Sequence, residues 1–411
     1  MTATDDVTRA LADACGIESV RPAGPDDDIL GVTPRWVAAP ADTVALSALL
    51  AAATEHNLTV IPRGEGTKLH WGQRPRRVDV IIEMAGLSGI HAHYVDDLVA
   101  TFGAGTPVRA VQAVLARSGQ RLAVDPGSPD ATIGGMLAIG EAGPLRLHNG
   151  APRDLLLGTE FVRADGAIAH SGGRVVKNVA GYDLGKLLAG SWGTLAVITS
   201  ATMRLQPLPA ARAWITRSVR TPLEVHDLVD EVLASGADAA AIEMDLPQQG
   251  AGALSVLLEG STLGVAQRSG EMTRLLGKDA AASDEAPRWW GRYPFATDDV
   301  ALKMAVPVAD LHAAIYALRD ALGVVVPVRG SAGTGVCFAT VPAERAITAI
   351  DAVRTNLIGR GGNCVVLSAP SDVADRLDMW GPVGGLELMH SVKARFDPAG
   401  VFAPGRFVGG I

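Results

Sequence analysis

Between Arg63 and Met136 the chain carries three short glycine-bearing clusters of a kind that can hold a phosphate or a flat ring against bare backbone. The first is Arg63, Gly64, Glu65, Gly66, Thr67 and Lys68, directly after the apolar run Leu58 to Pro62. Its glycines leave successive N–H groups open to a pyrophosphate, and Arg63 and Lys68 add positive charge. The second is Gly103, Ala104 and Gly105. The third joins Asp125, Pro126, Gly127 and Ser128 to Ala131, Thr132, Ile133, Gly134, Gly135 and Met136. Here Thr132 offers a hydroxyl, while Gly134 and Gly135 open a short helix whose start favours an anion and whose bare backbone admits a flat ring. Taken singly, the first two loops read equally well as turns that need positive φ, while for the third a tight helix–sheet contact is the lesser alternative. Three such cradles in one region point to one large phosphate-bearing ligand.

Common nucleotide motifs do not account for them. The first loop lacks the spacing of a Walker sequence, and Gly181 to Lys186 is one residue short and followed by Leu187. A Rossmann fingerprint after Gly103 would need glycine where Val108 stands. The three cysteines, Cys15, Cys337 and Cys364, are isolated, so neither a disulfide framework nor an iron–sulfur or zinc spacing is present. They read as small apolar side chains. Of the nine histidines, His91 and His93 fall on an expected loop, and none pairs with carboxylates as a metal site does. The net charge of −8 gives no reason to bind nucleic acid or an anionic membrane. With 48% hydrophobic and 19% charged residues the chain is a folded one whose polar residues interrupt any bilayer span. Its start, MTATDDVTRA, has acids where a secretory signal carries bases, so a cytoplasmic location is expected.

The elements that must position these clusters can be sketched from periodicity. A helix is predicted over Asp42 to His56, strands over Leu58 to Pro62, Val78 to Glu83 and Leu98 to Phe102, and a helix over Pro107 to Arg117. After the proline-rich Gln206 to Pro209 the texture changes. Strand Trp214 to Val219 leads into a helix opened by Thr221, Pro222 and Glu224, followed by strands near 239–244 and 254–259 and a helix near 263–276. Past Trp289, Trp290 and Tyr293 the order recurs: strand 300–306, a helix bearing Leu311, Ile315 and Leu318, strands near Val324 and Val336, a helix bearing Ile347, Ile350, Val353 and Leu357, and strand 364–367. The expectation is an α+β protein whose later part repeats a βαββαβ unit.

Five segments, PRGEGTK (62–68), ATIGGM (131–136), VVKNVAGYDL (175–184), GSWGTLAVIT (190–199) and FDPAGVFAPGRF (396–407), give the chain a specific resemblance. In order and spacing it resembles the FAD-linked oxidases of the vanillyl-alcohol oxidase type, with a PCMH-type FAD-binding domain. The aromatic of Gly-Ser-Trp-Gly and the Lys-Asn-Val-Ala-Gly-Tyr-Asp-Leu run are most similar to the GlcE-like group, the FAD-binding subunits of glycolate oxidase. The resemblance is close over the FAD domain and loose beyond it. It implies an N-terminal helical segment (1–29), an FAD domain over 30–208 with subdomains near 30–95 and 96–208, a cap domain over 209–375, and a C-terminal segment (376–411) returning to the FAD domain. The cofactor would lie between the subdomains, its ring toward the cap.

Carried over by position, Arg63, Gly64, Glu65, Gly66, Thr67 and Lys68 would hold the pyrophosphate, and Pro126, Gly127, Ser128, Thr132, Gly134 and Gly135 would line the flavin and ribityl side. Gly150, Gly193, Val197 and Ile198 would complete the pocket. Glu65 stands where the family has glycine, so its carboxylate must point away from the phosphates. Covalently flavinylated relatives offer a histidine where Thr67 and Lys68 stand, which implies non-covalent FAD. Lys177, Asn178, Tyr182 and Asp183 serve either the flavin or partner surface or their own irregular backbone, and His70 with Trp71 either approaches the flavin or forms an amphipathic surface pair. Catalytic subunits of the family hold a metal through a His-x6-His segment in the cap, which this chain lacks. The catalytic residues are thus unassigned. The implied role is a flavin subunit working on a small 2-hydroxy acid with a paralogous catalytic flavoprotein and an iron–sulfur subunit, soluble or peripheral to the inner membrane face through them. Two alternatives stand beside it: a self-sufficient D-2-hydroxy-acid dehydrogenase using Arg329 or Arg395 on the carboxylate, and a structural subunit with an inert flavin site.

Overall fold

A computed structural model describes residues 3–128, 130–174 and 181–411. The chain forms two compact units: residues 1–141, 151–207 and 383–411 make the first, and 142–150 with 208–382 the second.

The first unit holds two sheets. Strands β1 (Val20–Pro22), β2 (Trp36–Ala38), β3 (Val60–Arg63) and β4 (Val80–Glu83) form one, in the order β1-β2-β4-β3, with β2, β4 and β3 parallel. Strands β5 (Ile90–Tyr94), β6 (Val99–Gly103), β8 (Leu156–Val162), β9 (Ile168–Gly172) and β10 (Val197–Arg204) form the other, antiparallel and ordered β5-β6-β10-β8-β9. The two-residue strands β7 (Gln120–Arg121) and β11 (Gln206–Pro207) pair beside it. The helix Thr43–Glu55 illustrates why these segments fold as they do. Asp42 caps it by accepting the Ala45 N–H at 2.8 Å, and Leu46, Leu49, Leu50 and Ala53 bury one face. Each large apolar side chain so buried contributes about 1.5–3 kcal/mol. Beyond it Asn57 adopts a left-handed φ of 52°, which stops the helix and releases the chain into β3.

The last residues complete this first sheet. Val60 N–H donates to Val401 O and Ala403 N–H to Val60 O, so residues 401–403 lie parallel to β3 on its free edge. The buried Asp397 shapes the approach by accepting the N–H groups of Val401 (2.9 Å) and Phe402 (2.8 Å) and the Lys393 ammonium (2.7 Å). Lys393 also donates to Thr194 O, tying the helix Leu386–Phe396 to the loop before β10.

The second unit is one antiparallel sheet of eight strands with helices on one face. Strand β12 (Ala211–Val219), helix Pro222–Ala234, strands β13 (Ala241–Leu246) and β14 (Gly252–Gly260), helix Thr262–Leu276 and strand β15 (Ala280–Ser283) make one βαββαβ set. Strand β16 (Val300–Ala305), helix Leu311–Leu322, strands β17 (Val328–Ser331) and β18 (Val336–Val341), helix Ala346–Ile358 and strand β19 (Asn363–Ser368) make the second. The order β15-β12-β14-β13-β17-β18-β16-β19 runs outward in the same sequence from the β13–β17 joint on either side. The repeat predicted from periodicity is therefore present. Thr221 caps its helix by accepting the Glu224 N–H, and Pro222 takes the first turn, as expected; the Glu224 carboxylate reaches the Arg220 N–H instead of the cap's own. The strand expected near Val324 begins four residues later, at Val328. Gly323 ends the preceding helix in a left-handed turn, and Val324 and Val325 are exposed before Val326 and Val328 reach the core.

Candidate functional site

A cleft in the first unit gathers most of the residues singled out in the sequence. Its wall includes Ile61 to Leu69 from β3 and the loop after it, Ala131, Thr132, Gly134 and Gly135, the stretch Ser191 to Gly193, Val197 and Ile198 of β10, and Ala403 and Arg406. It holds about 970 Å³ of open space, mouth included.

The two glycine loops differ in what their backbone leaves free. Among the described residues, none of the N–H groups of Gly64, Glu65, Gly66 and Thr67 donates within the chain. Gly66 sits at φ 70°, which turns the run so that consecutive amides can face one point. At the third cluster the amides are already spent: Ile133 N–H donates to Thr106 O, Gly134 N–H to Ala104 O and Gly135 N–H to Thr132 Oγ1. That helix start, expected to favour an anion, has no free donor in these three groups. What it contributes is room. A Cβ on Gly134 would collide with Ala104, whereas one on Gly135 would meet only the Thr132 hydroxyl, at 3.1 Å. The second cluster proves structural, since a Cβ on Gly103 or Gly105 would strike the backbone of residues 84–88.

The charges are arranged less simply than their types suggest. Arg63 lines the cleft, yet its guanidinium pairs with Asp27 at 2.8 Å and with Glu83. Asp27, held by Arg21 and then by the Gly24 N–H and Arg63, titrates well below the usual carboxylate range. Lys68 is buried, bonded to Ser128 Oγ, 3.1 Å from Glu141 Oε1 and 4.7 Å from the centre of the Trp71 ring. Burial lowers its pKa against the opposing effect of Glu141. Glu65 is exposed, on the rim that this cleft shares with a second, acidic one.

Of the sixteen expected cofactor contacts, Arg63 to Lys68, Thr132, Gly134, Gly135, Gly193, Val197 and Ile198 line the cleft. Pro126, Gly127 and Ser128 are not part of the lining, though Ser128 is bonded to Lys68, which is. Gly150 belongs to the second unit and lines no part of it. Sequence reasoning missed Glu141, Trp192 and Arg406. Trp192 and Arg406 lie within segments 190–199 and 396–407, where Trp192 marked only the resemblance and Arg406 carried no signal of its own. Trp192 adopts a left-handed φ of 59° and stacks on Phe407 at 6.1 Å, a strained placement of the sort that collects at ligand sites.

Other expectations fared variously. Trp71 is buried and no surface residue, while His70 lines the acidic cleft. His91 and His93 lie on β5, where His93 bonds Gln120 at 2.8 Å; the loop expected there is a strand. Asp183 caps the helix Leu184–Leu188 and pairs with Lys186, and Tyr182 is 91% exposed. Lys177 and Asn178 lie outside the described residues. Cys337 and Cys364 are buried and Cys15 half-buried. No group of three His, Cys, Asp or Glu able to hold a metal occurs among the described residues, and no helix there is long and apolar enough to cross a membrane.

The sequence pattern of one family, described as "FAD binding domain", matches residues 34–172. About a third of the chain thus matches an FAD binding domain. The chain is 39% identical over 146 residues to glycolate oxidase subunit GlcE of Escherichia coli, covering 35% of this chain and 41% of that one. It is 38% identical over 171 residues to a D-lactate dehydrogenase of Archaeoglobus fulgidus, covering 42% of this chain and 38% of the other. The matches thus span about two fifths of those relatives' length. A solved structure of p-cresol methylhydroxylase with bound substrate shares the fold over 98% of this chain and 96% of its own, with a TM-score of 0.78 at 13% identity. The PCMH-type α+β architecture is therefore that of this chain as well. The cleft suits FAD: free amides for a diphosphate, a buried cation in the wall, and bare backbone at Gly135 for a flat ring.

Proposed function

We propose that this chain is the FAD-binding subunit of a glycolate, or closely related 2-hydroxy-acid, dehydrogenase, passing electrons to an acceptor subunit. The observation that carries the reading is the run of free amides from Gly64 to Thr67 in a cleft of an FAD binding domain. The similarity to a glycolate oxidase subunit supports the substrate class. When bound, FAD supplies a ring that accepts a hydride equivalent. The chain's own residues would hold it: the Gly64–Thr67 amides at the diphosphate, Lys68 and Arg406 as charge, Gly135, Val197 and Ile198 along the ring and ribityl chain. FAD is held without a covalent bond, and a paralogous flavoprotein and an iron–sulfur subunit complete the enzyme.

A second reading, a self-sufficient D-2-hydroxy-acid dehydrogenase, draws support from the D-lactate dehydrogenase similarity. It would need a free cation for the substrate carboxylate. Arg329 is clamped by Asp245 at 2.8 Å and by the carbonyls of Arg292 and Tyr293, and Arg395 is exposed on its helix. Anaerobic mixing of the flavin-loaded chain with glycolate or D-lactate separates the two. Slow or absent bleaching supports the subunit, and rapid saturable bleaching supports the self-sufficient enzyme.

A further inference from the structure

The cleft wall holds three cations, and two have carboxylate partners: Arg63 with Asp27 and Glu83, and Lys68 with Glu141. Arg406 is 4% exposed, and among the described residues no carboxylate lies within ion-pair distance of it. Its guanidinium donates instead to two carbonyls, Leu69 O at 3.1 Å and Trp71 O at 2.6 Å. Burial lowers its pKa to about 10, so it remains charged at neutral pH. A buried charge without a counter-ion is costly to fold and marks a place where an ion belongs. The two carbonyls it grips follow directly on the loop whose amides are free. Both features call for negative charge in the same cleft.

We propose that Arg406, brought in by the C-terminal segment, supplies the counter-charge for the diphosphate of the bound dinucleotide while holding the Gly64–Lys68 loop in its binding shape. The inference rests on the FAD reading above and deepens it. It makes recognition of the diphosphate depend on a residue more than 330 positions away from the loop.

The test is a titration of the flavin-free chain, native, Arg406→Gln and Arg406→Lys, with FAD, ADP and riboflavin, by flavin fluorescence and calorimetry. A lost hydrogen bond to a charged group weakens binding by about ten- to hundredfold. Arg406→Gln should weaken FAD and ADP by that factor and leave riboflavin within about twofold; Arg406→Lys should recover part of the loss for both phosphate ligands. Losses shared equally by riboflavin overturn the proposal, because the arginine would then only brace the loop. A loss confined to riboflavin and FAD overturns it too, because the charge would then serve the ring. Should Arg406→Gln not fold, Arg406→Lys decides, since bracing by a fork is lost in lysine and charge is not. On the native chain, inorganic pyrophosphate must displace ADP; failure at millimolar concentration overturns the proposal without any variant. A native chain that binds no FAD defeats the proposed function itself, whereas FAD binding indifferent to Arg406 defeats only this inference.

Discussion

Gly134 and Gly135 are neighbours of the same type, yet the structure gives them different tasks, and that difference sets the cleanest single-residue experiment. Gly134 is pressed against Ala104, so any side chain there disturbs the fold. Gly135 is exposed to the cleft. Gly135→Trp should therefore leave the thermal midpoint within a few degrees of native while abolishing FAD uptake, and Gly134→Trp should lower both. Near-native flavin occupancy in purified Gly135→Trp would remove the ring from this part of the cleft. The chemistry of the wall supports a second expectation. Among the described residues no His, Cys or Tyr lines the cleft, so acid precipitation of the holoprotein should leave all the yellow colour in the supernatant. Colour in the pellet would show a covalent link.

Among the elements, the C-terminal segment and the amino-terminal loop are each pinned by one buried carboxylate. Asp397 receives two amides and Lys393. Asp397→Ala leaves that ammonium unpaired and should cost about 3–5 kcal/mol, and it should also weaken FAD by shifting Ala403 and Arg406; denaturant melts and a flavin titration measure the two effects. Asp27 acts at pH. Its folded pKa lies below the unfolded value, so its stabilisation is fully present above about pH 4 and is lost progressively below that, as pH falls toward the folded pKa. The stability gap between native and Asp27→Asn should thus be flat from neutral down to about pH 5 and shrink below about pH 4, and a gap that stays constant below that would contradict it. These elements also show what the sequence can and cannot say. Period and capping residues located the helix at Thr43 and the doubled βαββαβ order, because both depend on local alternation and local hydrogen bonds. The pairing of residues 401–403 with β3 depends on contacts across most of the chain, which no window of sequence contains. For the same reason the glycine loops were legible and Arg406 was not, and the start at Ile133 was misjudged because backbone partners such as Ala104 O leave no mark on residue types.

For the whole molecule, the question is what chemistry the chain can perform alone. Its eight-stranded unit offers Arg329 already bound to Asp245 and, among the described residues, no metal-holding group. If the general base comes from a partner, its absence from the lone chain lowers rates about 10² to 10⁴-fold. On the subunit reading proposed above, the flavin-loaded chain should reduce its flavin with glycolate or D-lactate at a rate near background in stopped flow. Adding a catalytic flavoprotein and an iron–sulfur partner should restore acceptor reduction. Turnover by the lone chain at the rate of the reconstituted assembly would replace the subunit reading with the self-sufficient one.

The strand formed by residues 401–403 also orders events during biosynthesis. The loop at Gly64 and strand β10 leave the ribosome long before Arg406, and between them comes nearly all of the second unit, residues 208–382. At about 5–20 residues per second that interval is roughly 10 to 40 s. Throughout it the nascent first unit has a cleft with one wall absent and β3 exposed along an edge. On the reading proposed above, the flavin site is complete only once residues 401–406 have been made, and until then the unfinished edge is the place where a chaperone or a neighbouring nascent chain would most readily attach.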